Sequence, residues 1–289
     1  MSSSSRPGSG RRIDPARLPT VLFLDLDKTV IGRANAAVER FFLHRVVKEV
    51  ADAGELPASA RPRRPLDAVE AMASILRPGF GEAIRRLRRV FPTLEVFVCT
   101  MGVPATVTEL KVPGIEGASG VRFNRPLFHR GLCQSAAAED RKLVGACFRQ
   151  ALQALSRRPR YAGLGLATDA AVADRVFRER FLMIDDTPEV AFDSASNRRL
   201  LVCPPYTASG PDGGLALTSG IPAAALRSPK VAEYLATVEE RQRKKPIVVT
   251  AEERAASAAD AFWPSLAAAV EAAGRRANVD TLLRTLPVA

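Results

Sequence analysis

The chain is short of aromatic side chains: Phe, Tyr and Trp make up 6% of its 289 residues, and there is a single Trp. No stretch interleaves aromatic with basic residues, so the sequence offers no base-stacking surface of the kind that single-stranded nucleic-acid binders use. Histidine is scarcer still. His44 and His129 stand too far apart to suggest metal ligation, and the four cysteines, Cys99, Cys133, Cys147 and Cys203, contain no C-x-x-C pair. A zinc site is therefore not expected. The cysteines read as free thiols of a reducing compartment, which places the expected location in the nucleus or cytoplasm. No apolar run approaches the roughly 20 residues of a membrane span, so no membrane partner is expected. The opening M-S-S-S-S-R-P-G-S-G-R-R lacks acids and any amphipathic pattern, and residues 1–19 read as a disordered, basic, Ser-rich arm.

What is present is positive charge and a globular core. The formal net charge is +11, with 47% hydrophobic and 25% charged residues. That balance can bury a core and favours a partner bearing phosphates or many acids. Arginine far exceeds lysine and alanine is abundant, a bias that a GC-rich genome also produces, so part of the charge is discounted. Nucleic acid is a secondary candidate partner.

Chemistry concentrates where apolar runs end. Val21 to Leu24 reads as a buried strand that leads into Asp25, Asp27 and Thr29. L-E-V-F-V-C-T, 94–100, repeats the pattern and ends at Thr100; F-L-M-I-D-D, 181–186, ends at Asp185 and Asp186. In an open α/β sheet, function gathers beyond the carboxyl ends of the strands. Three such ends side by side would make an acid cluster that repels itself unless a cation neutralises it, and Mg²⁺ suits carboxylates and a substrate phosphate. Asp25 could attack phosphorus while Asp27 gives and takes the leaving group's proton.

The rest of the chain reads as alternating helices and strands. Helices are expected at 36–52, with Val38, Phe42, Val46 and Val50 on one face, after a cap at Asp67, over 79–90, over about 136–155 and up to about 180. A small antiparallel hairpin is expected at 121–128 and a fourth strand at 199–203. The arginines 85, 86, 88 and 89 read as a solvated face. A helix opens at Ser228 and ends at the basic segment 241–245, 247–249 reads as a short strand, and Thr250 with Glu253 caps a further helix.

Taken together, D-L-D-K-T-V, R-P-G-F at 77–80, C-T-M-G with Thr100, I-D-D-T-P-E-V at 184–190, Ser196-Asn197, V-C-P-P-Y and N-V-D-T-L-L at 278–283 resemble the FCP/SCP-like, or NLI-interacting-factor-like, phosphatases of the haloacid dehalogenase superfamily. The resemblance spans roughly residues 20–285. It implies a Rossmann-like parallel sheet flanked by helices, without a large cap domain, and a Mg²⁺-dependent phosphomonoesterase working through an aspartyl-phosphate. It implies phosphoserine protein substrates, of which the C-terminal repeat of RNA polymerase II is the family's example. Carried over by position, Asp25 is nucleophile and metal ligand, and Asp27 is general acid/base with its backbone carbonyl on the metal. Asp186 ligates the metal, Asp185 supports it, and Thr100 binds phosphate together with Lys28, Thr29 and Gly102. The family's lysine before the paired acids is displaced here. P-L-F-H-R-G-L-C, 126–133, resembles the family's hairpin, and nine residues beyond Cys133 stands Lys142, which the resemblance implies is the catalytic, phosphate-binding lysine, with an insertion at about 144–175. Against this assignment, Lys142 also reads as an exposed helix residue, with Arg141 and Lys111 as substitutes. The alternative functions are a polynucleotide or nucleotide phosphatase, a metabolite phosphatase, a catalytically weak phosphoprotein-binding relative and a basic nucleic-acid-binding protein.

Overall fold

The computed structural model describes residues 13–60, 66–135, 138–191, 193–208, 217–244, 250–274 and 278–285. Its frame is a four-stranded parallel sheet built from β1 (Thr20–Leu24), β2 (Leu94–Val98), β5 (Phe181–Asp185) and β6 (Leu200–Val202), in the order β2-β1-β5-β6. This is the expected α/β arrangement. Between the strands lie α1 (Asn35–Asp52), α2 (Ala68–Ala73), α3 (Phe80–Val90), α4 (Val112–Ser119), the short α5 (Arg130–Cys133), α6 (Val144–Ser156) and α7 (Ala170–Arg180).

The apolar strands alternate faces as the pleat requires. Leu22, Leu24, Val96, Val98, Leu182 and Ile184 enter one core with α3 and the helix Phe262–Ala273. Val21, Phe23, Phe97, Phe181 and Met183 enter a second core with α6 and α7. Both faces are buried, which is why the strands read as unbroken apolar runs. A smaller third core joins Leu43, Val47 and Val50 of α1 to Ile221, Ala225 and Val231. The buried face of α1 is thus the one carrying Leu43 and Val47, while Val38, Phe42 and Val46 are only partly buried.

Two local expectations are corrected. Residues 121–128 form no hairpin. Asn124 N–H donates to the Val96 carbonyl at 2.7 Å and Phe128 N–H to that of Val98 at 3.0 Å, so the stretch satisfies the otherwise open edge of β2. The two-stranded hairpin lies later, pairing β3 (Gln134–Ser135) with β4 (Ala138–Lys142). The expected helix of 136–155 begins only at Val144, where the apolar spacing Val144, Phe148, Ala151 and Leu155 begins. At the N-terminus, Leu18 is buried in the second core and Ile13 packs partly buried against it, so this end of the expected arm is anchored on the domain while residues 14–17 stay exposed. Residues 1–12 of that arm and the expected strand at 247–249 lie outside the described residues. No described helix is long and apolar enough to cross a membrane.

Candidate active site

Strand register sets the floor of the site. Leu24 pairs with Val98 on one side and Ile184 on the other. One residue further, Asp25 N–H donates to the Ile184 carbonyl at 3.0 Å and Cys99 N–H to that of Leu24 at 2.8 Å. Asp25 therefore stands level with Asp185, the last residue of β5, and with Cys99, just past the end of β2. After it the chain hooks: Leu26 O accepts from Val30 and Ile31 N–H, both at 2.9 Å, and Lys28 takes a left-handed φ of 60°. A side-chain-bearing residue there stores strain of about 1–3 kcal/mol. Arg77, of the R-P-G-F motif, straps this hook from behind. It is 1% exposed, donates to both Asp260 oxygens at 2.9 and 2.5 Å, reaches the Thr29 carbonyl at 3.3 Å, and lies over the Phe262 ring at 4.7 Å.

Lys142 arrives from β4, the last strand of the hairpin. Its backbone pairs with Gln134 on one side and donates to Val190 O at 2.8 Å on the other. Asn197 in turn holds Ala191, accepting from its N–H at 3.0 Å and donating to its carbonyl at 2.9 Å, so the S-N pair at 196–197 steadies the loop on which Lys142 rests. The lysine is 2% exposed. Its Nζ donates to Asp25 Oδ1 at 2.7 Å, Asp185 Oδ2 at 2.6 Å and Cys99 O at 3.0 Å. The reading of Lys142 as an exposed helix residue is thereby overturned, whereas Arg141 is exposed.

Lys111 is not a substitute for Lys142 but a second buried cation. It ends a π-helical segment, Thr106–Lys111, a rare geometry often found at functional sites. Its Nζ contacts both oxygens of Asp27 at 2.6 Å. Asp25, Asp185 and Asp186 place one oxygen each within 4.8 Å of one another and could hold a metal ion. All donors are hard carboxylate oxygens, which fits a hard divalent cation. The Asp27 carboxylate is not part of this set, and Lys111 engages both its oxygens, which leaves the expected contact through the Asp27 backbone carbonyl untouched. Asp185 spends Oδ2 on Lys142 and Oδ1 on the Thr187 N–H at 2.9 Å, and so supports the cluster more than it ligates.

Of the other expected residues, Thr100 is 1% exposed yet borders the cleft, and its Oγ1 accepts from Gly102 N–H at 3.3 Å. A Cβ on Gly102 would come within 2.7 Å of a Val107 methyl, so that close turn needs glycine. Lys28 Nζ lies 4.0 Å from Asp186. Thr29 is not brought to the site: it is fully buried, with Oγ1 against the Cys203 thiol at 3.7 Å and its carbonyl held by Arg77 and the Trp263 indole. His44 is a buried structural residue, its ring between Ser219 O and Leu66 N–H.

Charge is tightly balanced. Burial, together with Asp185 and Asp27, pushes the Asp25 carboxyl up to about 7 despite the opposing Lys142. Burial alone would favour a neutral Lys142 amine, but Asp25 and Asp185 outweigh it and hold the pKa well above the ordinary lysine range. Asp186 is raised by burial and by Asp185. The cluster thus gains from any cation placed among its carboxylates.

These groups open into a cleft of about 1150 Å³. Its walls include residues to which the sequence reading gave no place in the site: Arg130 on α5, Asn35 and Glu39 on α1, and Arg241 and Lys244 on the helix Pro229–Lys244, where the basic segment 241–245 read only as a helix end. No signal in the sequence joins those distant segments. No family model, curated protein or solved structure matches the chain significantly.

Proposed function

We propose that the chain is a Mg²⁺-dependent phosphomonoesterase of the haloacid dehalogenase type, acting on phosphoserine in proteins through an aspartyl-phosphate on Asp25. The observation that carries this reading is the convergence of Asp25, Asp185 and Asp186 on one edge of the sheet with Lys142 buried among them. Structural ion pairs are rarely built from three carboxylates and one ammonium in so dry a place, because the imbalance costs desolvation.

Asp25 and Asp186, with Asp185 behind them, would hold the Mg²⁺, which when bound supplies positive charge to the carboxylates and to a phosphate oxygen. The protein's own residues account for the rest. Asp25, ionised, attacks phosphorus in line with the leaving serine oxygen, forming an acyl-phosphate bond as the P–O bond to serine breaks. The serine oxygen takes a proton from Asp27. Asp27 then removes a proton from water, whose oxygen attacks phosphorus and regenerates Asp25 with release of inorganic phosphate. In the resting arrangement Asp27 is paired with Lys111, so it must leave that ammonium and take up a proton from solvent before acting as an acid. Its side chain is 42% exposed and has room to turn. Lys142 stabilises the negative charge crowding Asp25, and Thr100, Gly102 and Lys28 border the phosphate.

The test is turnover of an aryl phosphate with and without Mg²⁺, in the wild type and in Asp25→Asn. Mg²⁺-dependent turnover that the substitution abolishes supports the reading. Activity in Asp25→Asn above about a tenth of wild type, a loss of less than ~1.4 kcal/mol in barrier terms, removes Asp25 as nucleophile.

A further inference from the structure

The cleft is larger than its chemistry requires. At about 1150 Å³ it exceeds the ~300–1,000 Å³ of most small-ligand pockets, and a phosphate with one serine side chain would fill only its floor. Above the floor the walls carry exposed cations. Arg241 and Lys244 come from the end of the helix Pro229–Lys244, and Arg130 from α5. That helix end is fixed against the wall. Gln242 Nε2 donates to Glu39 Oε2 at 2.9 Å and Tyr234 OH to the Glu39 carbonyl at 3.1 Å.

The cations are largely uncommitted. Among the described residues Arg241 and Arg130 form no ion pair, and Arg130 spends only Nε, on Met101 O at 3.0 Å. Lys244 meets Glu240 at 3.1 Å, but both side chains are exposed, at 71% and 40%, and such a surface pair is worth about 0–1 kcal/mol. A helix C-terminus by itself repels an anion, so two full cations there reverse the local sign. Guanidinium groups match phosphate with paired hydrogen bonds.

The remaining walls select the kind of ligand. Ala34, Val38 and Val103 offer small apolar contacts, and Val103 is 51% exposed. Among the described residues no aromatic side chain lines the cleft, so a base has nothing to stack on.

We infer that Arg241 and Lys244, together with Arg130, form a second anion subsite, and that the substrate is a multiply phosphorylated peptide whose second phosphate rests there while the first lies over Asp25. This rests on the reading of the Asp25 floor as a phosphate site.

The experiment uses fluorescein-labelled peptides of one sequence carrying one or two phosphoserines. Binding to the full chain bearing Asp25→Asn, which holds without turning over, is followed by fluorescence anisotropy at about 0.1 M salt, where screening beyond ~10 Å is strong. The second phosphate is expected to tighten Kd about tenfold, or ~1.4 kcal/mol. Adding Arg241→Ala and Lys244→Ala should cut that gain below about twofold, and Arg130→Ala should reduce it separately. Arg243→Ala, on the same helix but outside the cleft, should leave it intact. A gain that survives the Arg241/Lys244 double change, or tighter binding of a 5′-phosphorylated oligonucleotide than of the peptide, overturns the subsite. If the wild type turns over an aryl phosphate and the second phosphate gives no gain, the subsite alone fails. If there is neither turnover nor binding, the floor assignment fails and the subsite falls with it.

Discussion

Lys142 and Lys111 show how two residues of one type take different tasks through their partners. Lys142 touches Asp25 and Asp185, whereas Lys111 touches only Asp27 among the cleft acids. At about 4 Å and an effective dielectric of ~20, one ammonium contributes on the order of 4 kcal/mol of Coulomb attraction. Even half of that, realised in the transition state, changes a rate by roughly 10- to 100-fold. Lys142→Ala should therefore lose at least about tenfold in kcat/KM, while Arg141→Ala, altering an exposed residue, stays within about threefold of wild type. Equal activities in both variants would remove Lys142 from the site. Lys111→Ala should act through Asp27 instead. Its loss should be several-fold larger with phosphoserine, whose alkoxide must be protonated on leaving, than with an aryl phosphate that needs little protonation. Equal losses on both substrates would leave Lys111 a structural role only.

At the scale of elements, the hook after β1 is held by a residue 48 positions beyond Thr29. The Arg77 guanidinium is fully buried and paired with Asp260 on the loop before the helix Phe262–Ala273. Breaking one partner of a buried pair costs about 3–5 kcal/mol. Arg77→Ala should lower the unfolding free energy by that order in a denaturant titration, and Arg77→Lys should recover only part, lacking the planar fork that meets both Asp260 oxygens. Full recovery by lysine would mean that charge alone, not the strap geometry, holds the hook. The hairpin β3–β4 acts likewise as a delivery device, setting Lys142 between Gln134 and Val190.

For the whole molecule, charge and burial give two measurable consequences. With a net charge of +11 and cations around the cleft, kcat/KM on a phosphopeptide should fall as salt rises, because exposed charges are screened beyond ~10 Å at 0.1 M. A salt-independent rate would show that steering plays no part. The second consequence concerns the metal-free protein. Burial raises Asp25 from 3.8 to about 7 in the fold, so the folded state binds this proton more tightly than the unfolded chain. The associated stability is present below about pH 4 and is lost as pH rises towards 7. Asp25→Asn, which cannot ionise, should melt above the metal-free wild type at pH 8, and the gap should shrink steadily as pH falls through 5 towards 4, each kcal/mol appearing as roughly 2–4 °C. A gap that stays the same as pH falls would place its origin elsewhere than in Asp25 ionisation. Mg²⁺ should narrow the gap at pH 8 by stabilising the ionised wild type.

What was legible in the sequence was whatever depends on neighbours along the chain. Apolar runs ending in Asp25, Thr100 and Asp185 define buried strands, and parallel register then brings their ends to one edge, where Asp25, Asp185 and Asp186 meet. The helix starts at Asp67 and Thr250 were legible for the same reason, since their caps reach only three residues ahead. The position of Lys142 came from counting along a resembling motif, but its burial could not be read, because its bond to Asp25 spans 117 positions and depends on hairpin register. The same limit applies to Lys111, whose aim at Asp27 depends on a π-helical turn with no periodic signature, and to Thr29, which local spacing put beside the acids. The hook turns Thr29 inward against Cys203, and only the packing of the C-terminal helices behind that hook decides which way it faces.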